Sequence, residues 1–231
     1  MSNIPIIIIN RDRLTCLERL VDQLLLLGYD QLFVLDMGSS YKPLLDYYCD
    51  NKNFTLIQHE NTGHKTLWSH NIFRNLFSEY QWVAVTDSDI ELSPDTPAGF
   101  IEQMITVAKD YRADKVGLAI TYKDISNPVL KEIVTPIERN YWDTPERKCR
   151  LPHSRHEVYN SPVDTTFCIV RPTLPFTYTA LRVADWPIRH LDWYSDWNNL
   201  TVEEQYYMME ADPTISTTKQ HFLQWHLNKK D

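Results

Sequence analysis

Two acidic residues, Asp87 and Asp89, are separated only by Ser88. The run before them, Trp82 to Thr86, is short, apolar and Val-bearing, which predicts a buried strand of a parallel sheet. In an open α/β sheet the carboxyl ends of the strands face the ligand crevice. Two carboxylates two residues apart at that edge suit a hard divalent cation, which takes oxygen ligands and completes its shell with substrate phosphates. Asp is also an ordinary turn residue, so the reading depends on what else arrives at the same edge.

The preceding elements supply it. Ile6 to Ile9 predicts a first strand, and Asn10-Arg11-Asp12-Arg13 the turn that leaves it. Leu14, Leu17, Leu20, Val21, Leu24, Leu25 and Leu27 recur at helical spacing, predicting an amphipathic helix over 13–27 that Gly28 closes. Leu32 to Leu35 is a second strand ending at Asp36, followed by Met37-Gly38-Ser39-Ser40. A helix over 41–50, a strand over 54–58, the loop His59-Glu60-Asn61-Thr62-Gly63 and a helix over 65–78 lead back to the Asp-x-Asp strand. This alternation implies right-handed crossovers and a doubly wound, largely parallel sheet. Asn10, Asp36, the 59–65 loop and Asp87/Asp89 then leave successive strand ends and converge on one crevice.

The later chain is less regular, and most of the 13 Pro fall there, against only five Gly in all. A helix is expected over 97–112, strands over 116–121 and 163–170, a short helix over 202–210 and helical character from Thr217. Residues 123–160 read as a mobile loop or lid. Residues 185–199 are crowded with Trp186, Trp193, Tyr194 and Trp197, which form either a C-terminal core or flat faces for a sugar ring.

Composition narrows the function classes. Hydrophobic residues make up 43% and charged residues 23%, a globular balance. A net charge of −8 without a basic block disfavours non-specific binding to a nucleic-acid backbone. The scattered Cys16, Cys49, Cys149 and Cys168 read as reduced thiols, and a zinc site from Cys149, His153 and His156 lacks a fourth ligand. No run reaches the ~18 apolar residues of a membrane span, and residues 4–9 lack the flanks of a signal peptide, so a cytoplasmic protein is expected. There is no Gly-x-Gly-x-x-Gly and no Gly-x-x-x-x-Gly-Lys, which disfavours a dinucleotide-binding Rossmann domain and a P-loop enzyme. Glu91, two residues after Asp89, argues against an Asp-x-Asp phosphatase, which wants Thr or Val there.

With these stretches in view, the chain resembles the GT-A glycosyltransferases, in particular the family 2-like inverting enzymes of small stand-alone bacterial and viral type. Ile-Ile-Ile-Asn-Arg-Asp-Arg (7–13), Val-Leu-Asp-Met-Gly-Ser-Ser (34–40), Asn-Thr-Gly-His-Lys-Thr-Leu-Trp (61–68) and Val-Thr-Asp-Ser-Asp-Ile (85–90) carry the resemblance, over about the first 95 residues. Pro-Val-Asp-Thr-Thr-Phe (162–167) and Arg-His-Leu-Asp-Trp-Tyr (189–194) resemble acceptor-side motifs. Met37 departs from the pattern, where a polar residue is more usual.

The resemblance implies one GT-A domain over 1–231, with a nucleotide-sugar half (1–95) and an irregular acceptor half (96–231). It implies hexosyl or pentosyl transfer, with inversion, from a nucleoside-diphosphate sugar (a UDP-sugar first) to a hydroxyl, assisted by Mn²⁺ or Mg²⁺. Asp89 would ligate the metal directly, Asp87 would do so beside it or hold ribose, and His190 would complete the site. Asn10, Arg11, Arg13, Asp36, Gly38, Ser39, Gly63, Lys65, Trp68, Asp87 and Ser88 would line the donor pocket. Asp164 is the first choice of catalytic base, with Asp192 and Asp185 as competitors. The acceptor would be a glycan, a lipid or another hydroxyl compound; a modified nucleic-acid base suits the fold but not the net charge. If viral, the protein would act in the host cytoplasm. The alternatives are a nucleotidyltransferase acting on sugar phosphates, or an inactive sugar-nucleotide-binding protein of the same fold.

Overall fold

A computed structural model describes residues 4–152 and 154–229. At its centre lies β1 (Ile6–Asn10). Branching at Cβ favours the extended chain, and Ile6, Ile7 and Ile8 are fully buried. β2 (Leu32–Asp36) and β4 (Val83–Asp87) flank β1 in parallel, with β3 (Thr55–Gln58) beyond β2. The register sets Asn10 beside Asp36 and Ile9 beside Asp87, so these strands end at one level.

Alternation along β1 divides the core. Ile6 and Ile8 join the cluster under α1 (Leu14–Leu26) and α5 (Phe100–Asp110), whereas Ile7 faces the side of α3 (Thr66–Ser69) and α4 (Ile72–Leu76). α1 buries Leu17, Leu20, Val21 and Leu24, one helical stripe. α2 (Lys42–Asp50) accepts Pro43 in its first turn, where the missing N–H has no partner to lose. The single helix expected over 65–78 is interrupted at Asn71, whose φ of 55° is left-handed, and becomes α3 and α4.

The full sheet runs β3-β2-β1-β4-β9-β6-β10-β8-β7, with β6 (Lys115–Ile120), β7 (Lys148–Cys149), β8 (Val158–Asn160), β9 (Cys168–Val170) and β10 (Leu181–His190). Most strands share one direction; β9 runs against its neighbours β4 and β6. The expected strand over 163–170 is reduced to β9. Asp164 Oδ1 accepts a hydrogen bond from the Thr166 amide at 3.0 Å, a local turn that competes with ladder pairing.

Residues 123–160 are not a lid. They contain α6 (Pro128–Trp142), capped by the Asn127 side chain, which accepts from the Val129 and Leu130 amides. Leu130, Glu138 and Trp142 are buried, and Glu138 pairs with buried Arg182 at 2.6 Å. Packing of this face outweighs Pro136 inside the helix, which is why composition alone misleads here.

β10 carries the acceptor-side motif to the crevice. Its pairing with β6 shifts register between Val183 and Ile188, around Pro187, which has no N–H to give the ladder. Beyond the shift it pairs with β5 (Ile90–Glu91), and His190 sits opposite Ile90, next to Asp89 in sequence. The chain ends in α7 (Val202–Glu210), started by a Thr201/Glu204 capping box, and α8 (Thr217–Asn228), capped by Ser216. No helix of the described residues is long and apolar enough to cross a membrane.

Gly117 on β6 has no room for a side chain. A Cβ there would lie 2.7 Å from Val163 Cγ1 and 3.2 Å from the Phe167 carbonyl. Gly117→Ala is therefore expected to destabilise the protein by ~1–3 kcal/mol through overpacking, with a loss of about 2–4 °C in Tm per kcal/mol. Thermal unfolding followed by circular dichroism checks this, and an unchanged Tm would contradict the close contact.

Candidate active-site crevice

The carboxyl ends of β1 and β4 open into a crevice of ≈ 270 Å³. Asn10, Arg11, Arg13, Gly63, Asp87, Ser88, Asp89, Asp164, His190 and Asp192 all line it, so ten of the residues named from sequence meet here. Of the remainder, Asp36, Gly38, Ser39, Lys65 and Trp68 stand outside the lining.

Asp87 Oδ1 accepts a hydrogen bond from Thr165 Oγ1 at 3.0 Å. Burial, then repulsion from Asp89 and Asp164, pushes the Asp87 carboxyl up to about 8. Burial also raises Asp89, with the neighbouring Asp192 adding to it and His190 opposing. His190 Nδ1 lies 3.6 Å from Asp89 Oδ2 and has no hydrogen-bond partner. Burial lowers the His190 pKa, but the surrounding carboxylates Asp89, Asp192, Asp87 and Asp164 outweigh it and the net shift is upward. Trp193 stacks on the imidazole with ring centroids 5.0 Å apart and planes 4° apart, fixing its orientation.

Among the described residues no three or more His, Cys, Asp or Glu side chains form a ready metal cage. The expected trio of Asp87, Asp89 and His190 does meet at one wall of the crevice, with His190 Nδ1 beside Asp89. The pair itself fits a cation. Two carboxylates with raised pKa values and an unpartnered imidazole nitrogen border an open space, and oxygen donors are what a hard ion selects.

Arg13 and Asp192 neutralise each other. Arg13 Nη2 lies 2.6 Å and 2.7 Å from the two Asp192 oxygens, and both residues are about 95% buried or more. The guanidinium carbon also lies 3.7 Å from the Tyr207 ring centroid, which ties α7 to the turn after β1. Asp192, one of the candidate bases, is thus held in a buried ion pair. Asp185 is likewise occupied, 3.1 Å from His156 Nδ1 and outside the crevice.

Asp164 differs from both. Its Oδ1 accepts from the Thr166 amide and hydroxyl, while no protein group among the described residues bonds Oδ2. Burial works to raise this carboxyl, but the Thr166 hydroxyl and amide, with Arg182 and His190, hold it below the usual carboxylate range. Lys115 fixes the surrounding backbone, its ammonium donating to the carbonyls of Val163 at 2.7 Å, Asp164 at 2.6 Å and Thr177 at 3.0 Å.

The β1 and β2 exit loops are latched together. Asp12 Oδ1 accepts from the Ser40 and Tyr41 amides at 2.7 and 2.8 Å, and Ser39 Oγ accepts from the Asp12 amide at 2.9 Å. Asp36 is buried and accepts from Tyr48 OH at 3.1 Å and the Ser39 amide at 3.2 Å. Tyr48 in turn accepts from Asn10 Nδ2 at 2.8 Å, leaving Asn10 Oδ1 unpartnered in the crevice wall. Asp36, Gly38 and Ser39 thus shape the pocket from behind. Gly38 sits in a left-handed turn with φ of 69°. Lys65 lies outside because its ammonium packs over Phe176 and Tyr178, 5.1 and 5.5 Å from their centroids. Trp68 is drawn into the second core cluster between Phe73 and Phe176.

Sequence reasoning missed the far wall. Tyr207, Ala211, Asp212 and Ile215 to Thr218 line the crevice there. Only the Ser-Thr-Thr run at 216–218, a helix-cap pattern, marked that segment. Of the aromatics at 185–199, three have packing or hydrogen-bonding partners in the C-terminal half: Trp193 backs His190, Tyr194 OH donates to Asp124 at 2.7 Å, and Trp186 packs on His156. Cys149 and His156 form no zinc site, since His156 is engaged by Asp185; His153 lies outside the described residues.

No protein-family model and no curated protein sequence matches the chain. Solved structures do resemble it. A mannosyltransferase, PcManGT from Pyrobaculum calidifontis, in complex with GDP-Man and Mn²⁺, superposes with a TM-score of 0.50 at 12% identity, covering 95% of this chain and 72% of that one. TarS 1–349 from S. aureus gives a TM-score of 0.44 at 12% identity over 98% of this chain and 72% of that one. UDP-glucose pyrophosphorylase complexed with UDP-glucose gives 0.41 at 13% identity over 81% and 90%. At such identities the likeness is one of fold, and the fold of this chain is of the GT-A type.

Proposed function

We propose that the chain is a metal-dependent, inverting glycosyltransferase that moves a sugar from a nucleoside-diphosphate sugar, a UDP-sugar first, to a hydroxyl acceptor. The observation that carries this reading is the Asp87–Asp89 pair. It stands at the end of β4 in a crevice where Arg13 is already committed to Asp192. Asp87 and Asp89 would hold a hard divalent cation beside the donor's diphosphate. When bound, the metal supplies positive charge against the negative charge that builds on the departing diphosphate.

The remaining roles fall to the chain's own groups. Asn10 Oδ1 offers an unpaired acceptor to the nucleoside, and Arg11 lies in the same wall. Asp164 is the base: it stays ionised at neutral pH, and its free oxygen takes the acceptor's hydroxyl proton as the new bond forms. The crevice is expected to give the protein ligand-linked stability, since a ligand that binds only the folded state raises Tm. UDP or a UDP-sugar raises Tm only with Mn²⁺ present, and Asp89→Ala removes that increase. An equal increase in the variant, read by differential scanning fluorimetry, would exclude Asp89 as a ligand.

Proton linkage gives a second measurement. The Asp87 and Asp89 carboxyls are raised in the metal-free protein, so their contribution to stability is complete below the unfolded pKa of ~3.9 and is lost as pH rises through their folded-state values, about 8 for Asp87. Cation binding requires both carboxylates ionised and so expels protons. Metal-free Tm is expected to fall between pH 5 and 8.5 while the gain from Mn²⁺ grows. Calorimetry at pH 7 in buffers of different ionisation heat reads the released protons directly; a pH-independent gain from Mn²⁺ would contradict the linkage.

The two remaining acids separate in kind. Asp164→Asn keeps metal and nucleotide binding but lowers transfer by roughly 10²–10⁴-fold, the span of a lost general base. Asp192→Asn instead leaves the buried Arg13 unpaired and lowers stability by about 3–5 kcal/mol. A variant pair that behaves the other way round would reassign the base.

A further inference from the structure

A second cavity of ≈ 270 Å³ lies between the start of α6, the segment after Tyr194 and α8. It shares no lining residue with the crevice. Two indoles, Trp197 and Trp225, contribute to its wall, together with Ser126, Val129, Asp196 and Asn198. Its frame is built from parts distant in sequence. Asn127 Nδ2 donates to the Ser195 carbonyl at 2.9 Å, Ser126 Oγ to the Tyr194 carbonyl at 3.0 Å, and the Asn127 amide to the Trp193 carbonyl at 3.2 Å. Those bonds fix one wall before any ligand arrives.

The chemistry of the lining selects the occupant. Asp196 Oδ1 accepts from the Asn198 amide and side chain, and no protein group among the described residues bonds Oδ2. The Trp197 indole N–H is buried without a partner. Lys229, the nearby cation, is already engaged: its ammonium donates to Asn198 Oδ1 at 2.6 Å and lies 4.2 Å from the Trp225 ring centroid. An anionic ligand would meet the Asp196 carboxylate, and among the described residues no free cation lines the pocket. A wholly apolar ligand would strip water from Asp196, Asn198 and Ser126 without replacing it. A neutral sugar ring satisfies both halves, since its C–H faces cover indole and its hydroxyls bond to carboxylate, amide and hydroxyl groups. The size agrees, being just below the ~300–1,000 Å³ of pockets that take larger ligands.

We propose that this cavity is a carbohydrate subsite that holds one neutral sugar residue of an acceptor glycan. The acceptor assignment rests on the glycosyl-transfer reading, whereas sugar binding by the pocket does not. Its wall from Ser195 to Asn198 begins three residues after Asp192, a crevice residue, so one short segment borders both sites. α8 closes the other side through Phe222 and Trp225 against Trp197, at centroid distances of 5.6 and 5.5 Å, and buries no residue fully.

The test is a titration of the full chain with neutral methyl glycosides and short oligosaccharides, observed through the indole N–H signals in a nitrogen–proton NMR spectrum. Saturable shifts of the Trp197 and Trp225 signals are expected without metal or nucleotide. Asp196→Ala weakens the affinity roughly tenfold to hundredfold, the loss of hydrogen bonds to a charged acceptor, and Trp225→Ala weakens it too. Asp196 is exposed, so its variant keeps the fold even where Trp225→Ala loosens α8. Absence of shifts with every glycoside overturns the pocket, as does an affinity that Asp196→Ala and Trp225→Ala both leave unchanged. Shifts that vanish only in Asp89→Ala place the sugar in the crevice and likewise overturn it. Mn²⁺-dependent nucleotide binding is measured separately: sugar binding in the pocket without it keeps the subsite and removes its assignment to an acceptor.

Discussion

The structure turns on an imbalance of charge at the strand ends. Asp87, Asp89, Asp164 and Asp192 all border one crevice, and the guanidinium best placed to neutralise them, Arg13, is committed to Asp192. His190 alone among the lining groups stands near Asp89 as a titratable counter-charge. Like charges gathered in a partly dehydrated site raise their own pKa values or draw in a cation. The upward shifts of Asp87 and Asp89 express the first outcome in the metal-free protein. A fold that retains such a cluster carries a standing penalty, which a ligand of opposite charge relieves.

The rest of the architecture serves to hold that cluster together. Parallel pairing of β1 with β4 sets the level of Asp87. The register shift around Pro187 frees the end of β10 to pair with β5, bringing His190 to the other side of Asp89. Lys115 binds three carbonyls around Asp164, so a buried cation fixes the third acid through the backbone rather than by neutralising it. Arg13, between Asp192 and Tyr207, fastens the C-terminal helices to the turn after β1. Each device joins segments more than 40 residues apart, and together they make the crevice a product of both ends of the chain.

That distance explains what the sequence disclosed and what it concealed. Strands β1 to β4 and helix α1 were legible because period and burial are local signals: four isoleucines in a row, a leucine stripe, a Val-rich run ending in acids. The convergence of Asn10, Asp87 and Asp89 followed from strand order alone. Helix α6 was hidden because its stability comes from Trp142 and the Glu138–Arg182 pair, tertiary contacts that composition does not carry. The sequence puts Asp164 ahead of Asp192, though both are acids in family-like motifs. Only their partners separate them, since one faces a guanidinium and the other a hydroxyl and an amide. Lys65 misled for a similar reason, because aromatic rings elsewhere compete with the crevice for its charge.

The same accounting weighs glycosyl transfer against nucleotidyl transfer, which related α/β folds also serve. Attack on a phosphorus atom gathers negative charge on the phosphoryl oxygens, and such sites surround them with positive groups and backbone amides. In this crevice Arg13 is neutralised by Asp192, and the turn after β1 has no glycine to bring the backbone close. Transfer of a sugar to a hydroxyl has other needs: a cation on the leaving diphosphate and an ionised carboxylate to take the acceptor's proton. On the proposed reading Asp87 and Asp89 would answer the first need, and Asp164, held ionised with one oxygen unbonded among the described residues, the second. On the proposed reading, Arg11 is the one crevice arginine not paired with Asp192, and the acids carry the chemistry.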